Sequence, residues 1–93
     1  MEHIKALHNC IDILNHIKLD SPANAKRVKT RINNIINSIP SNPEMFIEDE
    51  LKENNDGTYR VFTKDSIRIS YKIELKDILI TRVVHSSREP NTY

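Results

Sequence analysis

The hydrophobic period of the 93-residue chain changes part-way along. In the first part, apolar residues recur every three or four positions, which is the period of an α-helix. From Ile67 to Ile73 they alternate with polar residues, which is the period of a β-strand with one buried face. No single type of secondary structure fits both patterns. The sequence therefore predicts an α+β fold, in one domain over residues 1–93.

Two amphipathic helices are predicted in the first part, over residues 4–19 and 22–39. Ser21 is suited to cap the second helix, Pro22 to begin it and Pro40 to end it. With so short a link, the two helices form an αα-hairpin. The apolar stripe of the first helix consists of Ile4, Leu7, Cys10, Ile11, Ile13, Leu14 and Ile17, and that of the second of Ala25, Val28, Ile32, Ile35, Ile36 and Ile39.

Three strands are predicted in the last third, over residues 58–63, 66–73 and 78–85, which are rich in β-branched and aromatic residues. The short links between them predict an antiparallel meander. Its apolar face needs a cover, and the helix hairpin is the available one. We therefore expect one shared core that contains Ile32, Ile36, Ile67, Ile69 and Tyr71. The acidic cluster of residues 48–50, between helices and strands, is interpreted as a solvated loop.

Several kinds of site are excluded by composition. A single cysteine, Cys10, rules out an internal disulfide and a cysteine-rich zinc site, and a single glycine, Gly57, rules out a glycine-rich phosphate loop. The histidines do not have metal-ligand spacing, so neither a metal nor another cofactor is expected. The chain shows no apolar run of about 18 residues and no secretory signal pattern. A cytoplasmic location without a membrane partner is therefore predicted.

One group of residues suggests phosphate chemistry. We expect Arg60 and Arg68 on the polar face of neighbouring strands, with His85 at the end of the third strand and Arg88 just beyond it. Guanidinium groups bind phosphate, and histidine transfers protons near neutral pH. We expect these four side chains to share one shallow basic concavity on the sheet face away from the helices. The alternative interpretation is that the arginines only keep an exposed strand face soluble.

The order of these elements, with three short motifs, resembles the RelE/ParE superfamily of toxins from bacterial type II toxin–antitoxin systems, in a branch common in Bacteroidetes. The motifs are Tyr59-Arg60-Val61-Phe62, Ile67-Arg68-Ile69-Ser70-Tyr71 and Arg82-Val83-Val84-His85-Ser86-Ser87-Arg88. The resemblance implies two helices packed on an antiparallel sheet, a role in plasmid stabilisation and a cognate antitoxin as partner. It leaves open two activities: metal-independent endoribonuclease action on ribosome-bound messenger RNA, and inhibition of DNA gyrase.

The resemblance also implies roles for single residues. Arg68 matches an arginine that contacts the scissile phosphate in the nuclease branch, and Arg60 stands where that branch often has a lysine. Arg88 matches a C-terminal catalytic arginine, and His85 lies near the catalytic histidine of some relatives. Tyr93 corresponds to a C-terminal catalytic tyrosine of the family.

One feature of the family is expected to be missing. Its members begin with a β-strand before the first helix, whereas helical periodicity here starts at Ile4. An unpaired sheet edge would favour a homodimer or pairing with an antitoxin segment. The missing strand also leaves open the alternative that the protein is a decayed or truncated toxin that only binds its antitoxin.

Overall fold

Two helices and five strands make up the fold in the computed structural model, which describes residues 4–16, 22–85 and 91–93. The helices are α1 (His8–Asn15) and α2 (Pro22–Ser38), and a 3₁₀ turn (Ile39–Ser41) follows α2. The strands are β1 (Ile4–Ala6), β2 (Ile47–Glu48), β3 (Tyr59–Lys64), β4 (Ile67–Ile73) and β5 (Ile78–His85). They form one sheet in the order β1-β5-β4-β3-β2. The predicted α+β fold is confirmed.

The core lies between the helices and one face of the sheet, which we call the helix face. The five residues expected to share a core, Ile32, Ile36, Ile67, Ile69 and Tyr71, are all buried in one cluster. Ile69 at its centre has no exposed surface. Cys10 joins this cluster from α1, but Leu7, Ile11 and Ile13 of the predicted α1 stripe remain exposed.

The expectation that the first strand is missing is wrong. Ile4–Ala6 forms β1, which pairs in parallel with β5 through Ile4 opposite Ile78 and Ala6 opposite Ile80. The Leu7 amide donates to the Ile80 carbonyl at 3.1 Å, and α1 begins only at His8. The apolar spacing of three and four residues from Ile4 onward is compatible with one long helix, and equally with a short strand followed by a helix. The open edge of β5 decides between them, because it offers backbone partners to residues 4–6.

The remaining predicted boundaries hold within a few residues where the structure describes them. α2 ends at Ser38, and the three-strand meander is confirmed as β3, β4 and β5. Ser21, the predicted N-cap, and the predicted end of the first helix beyond residue 16 lie outside the described residues. None of the helices in the described ranges is long and apolar enough to cross a membrane.

The turn between β3 and β4 sets the register of the sheet. Asp65 and Ser66 both have positive φ angles, of 52° and 67°, and Lys64 pairs with Ile67 across them. Two consecutive residues of this kind make a type I′ turn, whose twist matches that of the flanking strands. Because the loop has two residues, each even-numbered residue of β3 pairs with an odd-numbered residue of β4, and paired side chains share a face. Side chains with even numbers on β3 therefore lie on the opposite face from those with even numbers on β4.

Candidate functional site on the outer face of the sheet

The side of the sheet away from the helices, here called the outer face, carries Arg68, Ser70 and Lys72 of β4. Directly paired residues place their side chains on the same side of a sheet. Arg82 of β5 pairs with Ser70, and Tyr59 of β3 pairs with Lys72, so both also belong to the outer face. The outer face is therefore rich in cations and tyrosine.

Asp49 is the buried centre of this face. Its side chain is only 1% exposed, and it follows β2 directly. Asp49 Oδ1 accepts hydrogen bonds from Arg68 Nη2 at 2.8 Å and from the Leu51 amide at 3.1 Å, and Oδ2 accepts one from the Tyr93 hydroxyl at 2.6 Å. Burying a carboxylate is tolerated here because an arginine and several donors surround it. The prediction of a solvated acidic loop is wrong at Asp49.

The loop after Asp49 is held in place by Asn55. The side-chain nitrogen of Asn55 donates to the backbone carbonyls of Asp49 at 3.2 Å and Tyr59 at 2.9 Å. Its side-chain oxygen accepts from the backbone amides of Gly57 and Tyr59. Gly57 has a φ of +94°, a conformation that a residue with a Cβ adopts only with strain. These local bonds fix the position from which Asp49 reaches across the sheet to Arg68.

The segment 91–93 lies against this loop. The Tyr93 amide donates to the Leu51 carbonyl at 2.9 Å, and the Glu53 amide donates to the Tyr93 carbonyl at 2.6 Å. The Arg82 guanidinium carbon lies 4.7 Å from the centre of the Tyr93 ring, and Arg82 also donates to the Asn91 carbonyl. Tyr93 is thus held through its backbone, its ring and its hydroxyl group.

Cations cover the tyrosine rings as well. Lys52 Nζ lies 4.8 Å from the centre of the Tyr59 ring and 5.4 Å from that of Tyr93, and the two rings meet edge to face at 6.3 Å. Lys72 Nζ lies 5.6 Å from the Tyr59 ring. Cations over aromatic faces are stabilising, but they also occupy ring surface on which a nucleotide base would stack.

The charge state of the centre follows from these contacts. Burial alone raises the pKa of Asp49, but hydrogen bonds from Tyr93, Ser70, Leu51 and Arg68 outweigh it, so its pKa is lowered. Burial raises the pKa of Tyr93, and its hydrogen bond to Asp49 raises it further. At neutral pH the centre therefore holds an ionised Asp49 and a neutral Tyr93 whose proton points at Asp49.

Arg68 is engaged by two carboxylates. Besides Asp49, the exposed Glu50 accepts a 2.9 Å hydrogen bond from Arg68 Nη2. The Arg68 side chain itself is only 17% exposed. A phosphate group that approaches Arg68 must compete with both carboxylates, one of them buried.

Arg60 does not join this group, and the predicted shared concavity is wrong on this point. The register pairs Arg60 with Tyr71, which places Arg60 on the helix face. There it donates to the carbonyls of Gly57 at 3.0 Å and Phe46 at 3.1 Å. The reason is the two-residue turn, which forces Arg60 and Arg68 to opposite faces.

His85 is also separated from Arg68. It pairs with Ile67, a core residue of the helix face. Strand β5 has one extra residue, Thr81, between the partners of Ser70 and Tyr71. Such a bulge reverses the alternation of the strand, so that Ile80 and Val83 share a face. Arg88 lies outside the described residues.

The model of the family described as the ParE toxin of the type II toxin–antitoxin system parDE matches residues 3–90. The chain belongs to this family. No match to this chain was found among curated proteins. Family membership confirms the resemblance to RelE/ParE toxins and identifies the protein as a toxin of a type II module, for which the expected partner is an antitoxin.

Within this family member, the structure brings together two of the five residues expected to form the site, Arg68 and Tyr93. The residue that joins them, Asp49, was missed. Its place in a run of three acidic residues is typical of a loop, and the strand period gives no signal for its burial, since Ile47, which shares its phase, is 69% exposed. Across the described ranges 4–16, 22–85 and 91–93, no cluster of three or more potential metal ligands is found.

Proposed function

We propose that this toxin inhibits growth by binding DNA gyrase, and not by cleaving messenger RNA. The observation that carries the proposal is the state of Arg68: its guanidinium is bonded to Asp49 and Glu50 and lies on the opposite face of the sheet from Arg60 and His85. Gyrase acts on the chromosome, so the proposed site of action is the cytoplasm.

Metal-independent cleavage of RNA needs several groups around one phosphate. A cation must stabilise the developing charge from about 2.7–3.1 Å, and an acid and a base must move protons at the same centre. Side chains on opposite faces of a sheet are separated by the sheet itself, so one phosphate cannot contact both Arg60 and Arg68. Tyr93 has its proton engaged by Asp49, and its raised pKa makes it a poor base.

Inhibition by binding makes no such demand. It needs a stable surface, and the outer face supplies one that is tied together across the sheet by Asp49, Arg68 and Tyr93. The presence of β1 also removes the ground for a decayed toxin, because the sheet has its first strand.

The proposed antitoxin surface lies elsewhere. On α1, Ile11 and Ile13 are each 42% exposed, and Leu7, directly before the helix, is 45% exposed. Exposed apolar side chains on one short helix favour a protein partner with an apolar segment. A second copy of the toxin competing for the same surface would give the homodimer that the sequence suggested.

The test is induced expression of the toxin with three readouts: growth, DNA breaks and primer extension on ribosome-bound message. We expect growth arrest with DNA breaks and intact message, and inhibition of supercoiling when purified toxin is added to purified gyrase. His85→Ala and Arg60→Ala should remain toxic. Lys64→Ala, which removes an exposed charge on β3, serves as a matched control.

If the wild type cleaves message and Arg68→Lys does not, the proposal is contradicted and the endoribonuclease activity is established. Arg68→Lys keeps the charge but loses the fork of donors, so it separates phosphate recognition from a general charge effect. A circular dichroism spectrum and an unfolding midpoint like those of the wild type show that each purified variant is folded.

A further inference from the structure

Helix α2 carries the positive charge of this protein. Its 17 residues include Lys26, Arg27, Lys29 and Arg31 and no acidic residue. The whole chain has 14 basic and 13 acidic residues, a net charge of +1, so the residues outside α2 together carry a net charge of −3. A net charge of +4 on one helix of an otherwise acidic protein marks a surface suited to a polyanion.

The charges lie on the solvent side of the helix. Val28, Ile32 and Ile36 face the core, and the opposite side runs the full length of α2 without an apolar residue larger than alanine. We call this side the α2 solvent face. Its exposed members are Ala23, Lys26, Arg27, Thr30, Asn33, Asn34 and Asn37.

Two cations of this face have no carboxylate partner among the described residues. Lys26 forms no ion pair there, and Arg27 donates to the Asn24 side chain at 2.7 Å. Arg31, on the flank, is engaged by both oxygens of Asp65 at 3.1 Å. The open hollow between Lys26, Arg27 and Thr30 is therefore positively charged, with Arg31 as a neutralised border.

We propose that the α2 solvent face binds the phosphate backbone of double-stranded DNA. Phosphate contacts come from arginine, lysine, threonine and asparagine side chains, which are the residue types of this face. An acidic protein partner would need an apolar centre to its interface, and the α2 solvent face has none. The exposed large apolar side chains lie on or directly before α1, on β2 and in the loops instead.

Shape favours DNA over double-stranded RNA. At 1.5 Å per residue, α2 is about 25 Å long, and the major groove of B-form DNA, about 12 Å wide, admits an α-helix. The major groove of A-form RNA is too deep and narrow for side chains to enter. Lys26 and Arg27, near the start of the helix, would contact phosphates at the edge of the groove.

The experiment measures binding of the purified toxin to a fluorescent DNA duplex of random sequence between 50 and 200 mM salt. The key variant is Lys26→Ala/Arg27→Ala. Its control is Lys5→Ala/Lys76→Ala, which removes the same charge from exposed positions away from the α2 solvent face; because Lys5 forms a 3.2 Å ion pair with Asp77, the unfolding midpoint of the control is measured as well. Alanine is a good helix former, so the key variant should keep the unfolding midpoint of the wild type.

We expect the key variant to bind about tenfold or more weakly at 50 mM salt and the control to bind like the wild type. The slope of log affinity against log salt should fall by about 0.9 for each lost phosphate contact, thus by about 2 in the key variant. Equal binding by the two variants, or no binding by the wild type at 50 mM salt, would overturn the proposal.

Two competitors test the identity of the ligand. Polyglutamate that displaces DNA at equal charge would show a surface for acidic proteins, and a duplex RNA that binds more tightly than duplex DNA would show a preference for RNA. Either result overturns the proposal as stated. Because the assay contains no gyrase, its outcome is independent of the proposed inhibition of that enzyme.

Discussion

The Tyr93 hydroxyl donates a 2.6 Å hydrogen bond to Asp49 Oδ2, across a separation of 44 residues in the chain. The other oxygen of the same carboxylate accepts from Arg68 on the central strand β4. One buried side chain thus connects the segment 91–93, the loop after β2 and the middle of the sheet. A phosphate-binding role for Arg68 would require this connection to open.

Replacement of Asp49 should destabilise the protein. In Asp49→Asn the ion pair with Arg68 and the charged acceptor for Tyr93 are lost, so we expect the free energy of unfolding to fall by about 2–3 kcal/mol. Urea unfolding at pH 7 measures it. The side chain of Glu50, the second partner of Arg68, is 59% exposed. Glu50→Gln should therefore lower the free energy of unfolding by less than about 1 kcal/mol. Equal losses in the two variants would show that burial of Asp49 is unimportant.

The contribution of Asp49 should also depend on pH. Hydrogen bonds hold its pKa in the folded protein below the ordinary 3.8, despite burial, which acts in the opposite direction. Its stabilising effect is therefore complete above the unfolded pKa and is lost as the pH falls through the lower folded value. The difference in unfolding free energy between wild type and Asp49→Asn should be constant from about pH 5 to 7 and narrow below about pH 4. A difference that persists undiminished to pH 2 would contradict this linkage.

The β3–β4 turn offers a stabilising substitution. Ser66 has a φ of 67°, in the left-handed region that glycine adopts without strain. Ser66→Gly creates the Asp-Gly pair favoured in type I′ turns and should raise the free energy of unfolding by about 0.5–1 kcal/mol. Thermal unfolding measures the gain. Ser38→Gly, at a position with a φ of −84°, is the control and should be destabilising.

The thiol of Cys10 should be protected. It has no exposed surface, and burial raises its pKa, so little reactive thiolate forms near neutral pH. We expect a thiol reagent such as Ellman's reagent to modify the native protein at pH 7.5 at least about a hundredfold more slowly than the urea-unfolded protein. Rapid modification of the native protein would mean that α1 opens readily from the sheet.

Some parts of the fold followed from the sequence because their signal is local. The alternation of Ile67, Ile69 and Tyr71 identified the buried face of β4, and the helical spacing of Ile32 and Ile36 identified that of α2. In each case the pattern repeats within one element, so it does not depend on which other element lies opposite.

The site was less predictable because it depends on pairing. Arg68 shares its phase on β4 with Ser70 and Lys72, and Arg60 shares its phase on β3 with the buried Phe62, but which phases share a face depends on the loop length and on the register. His85 changed face because of the bulge at Thr81, and neither a bulge nor the partner of an acidic residue such as Asp49 has a sequence signal of its own.

The sequence by itself determined the α+β class, the core-facing residues of α2 and β4, the three-strand meander and the family, since all of these are recorded in periodicity and short motifs. Only the tertiary structure decided that residues 4–6 are a strand, that Asp49 is buried, and that Arg68 is separated from Arg60 and His85. The physical reason is that these features depend on partners distant in the chain. The edge of β5 supplies hydrogen bonds to β1, and Arg68 and Tyr93 make burial of the Asp49 carboxylate favourable.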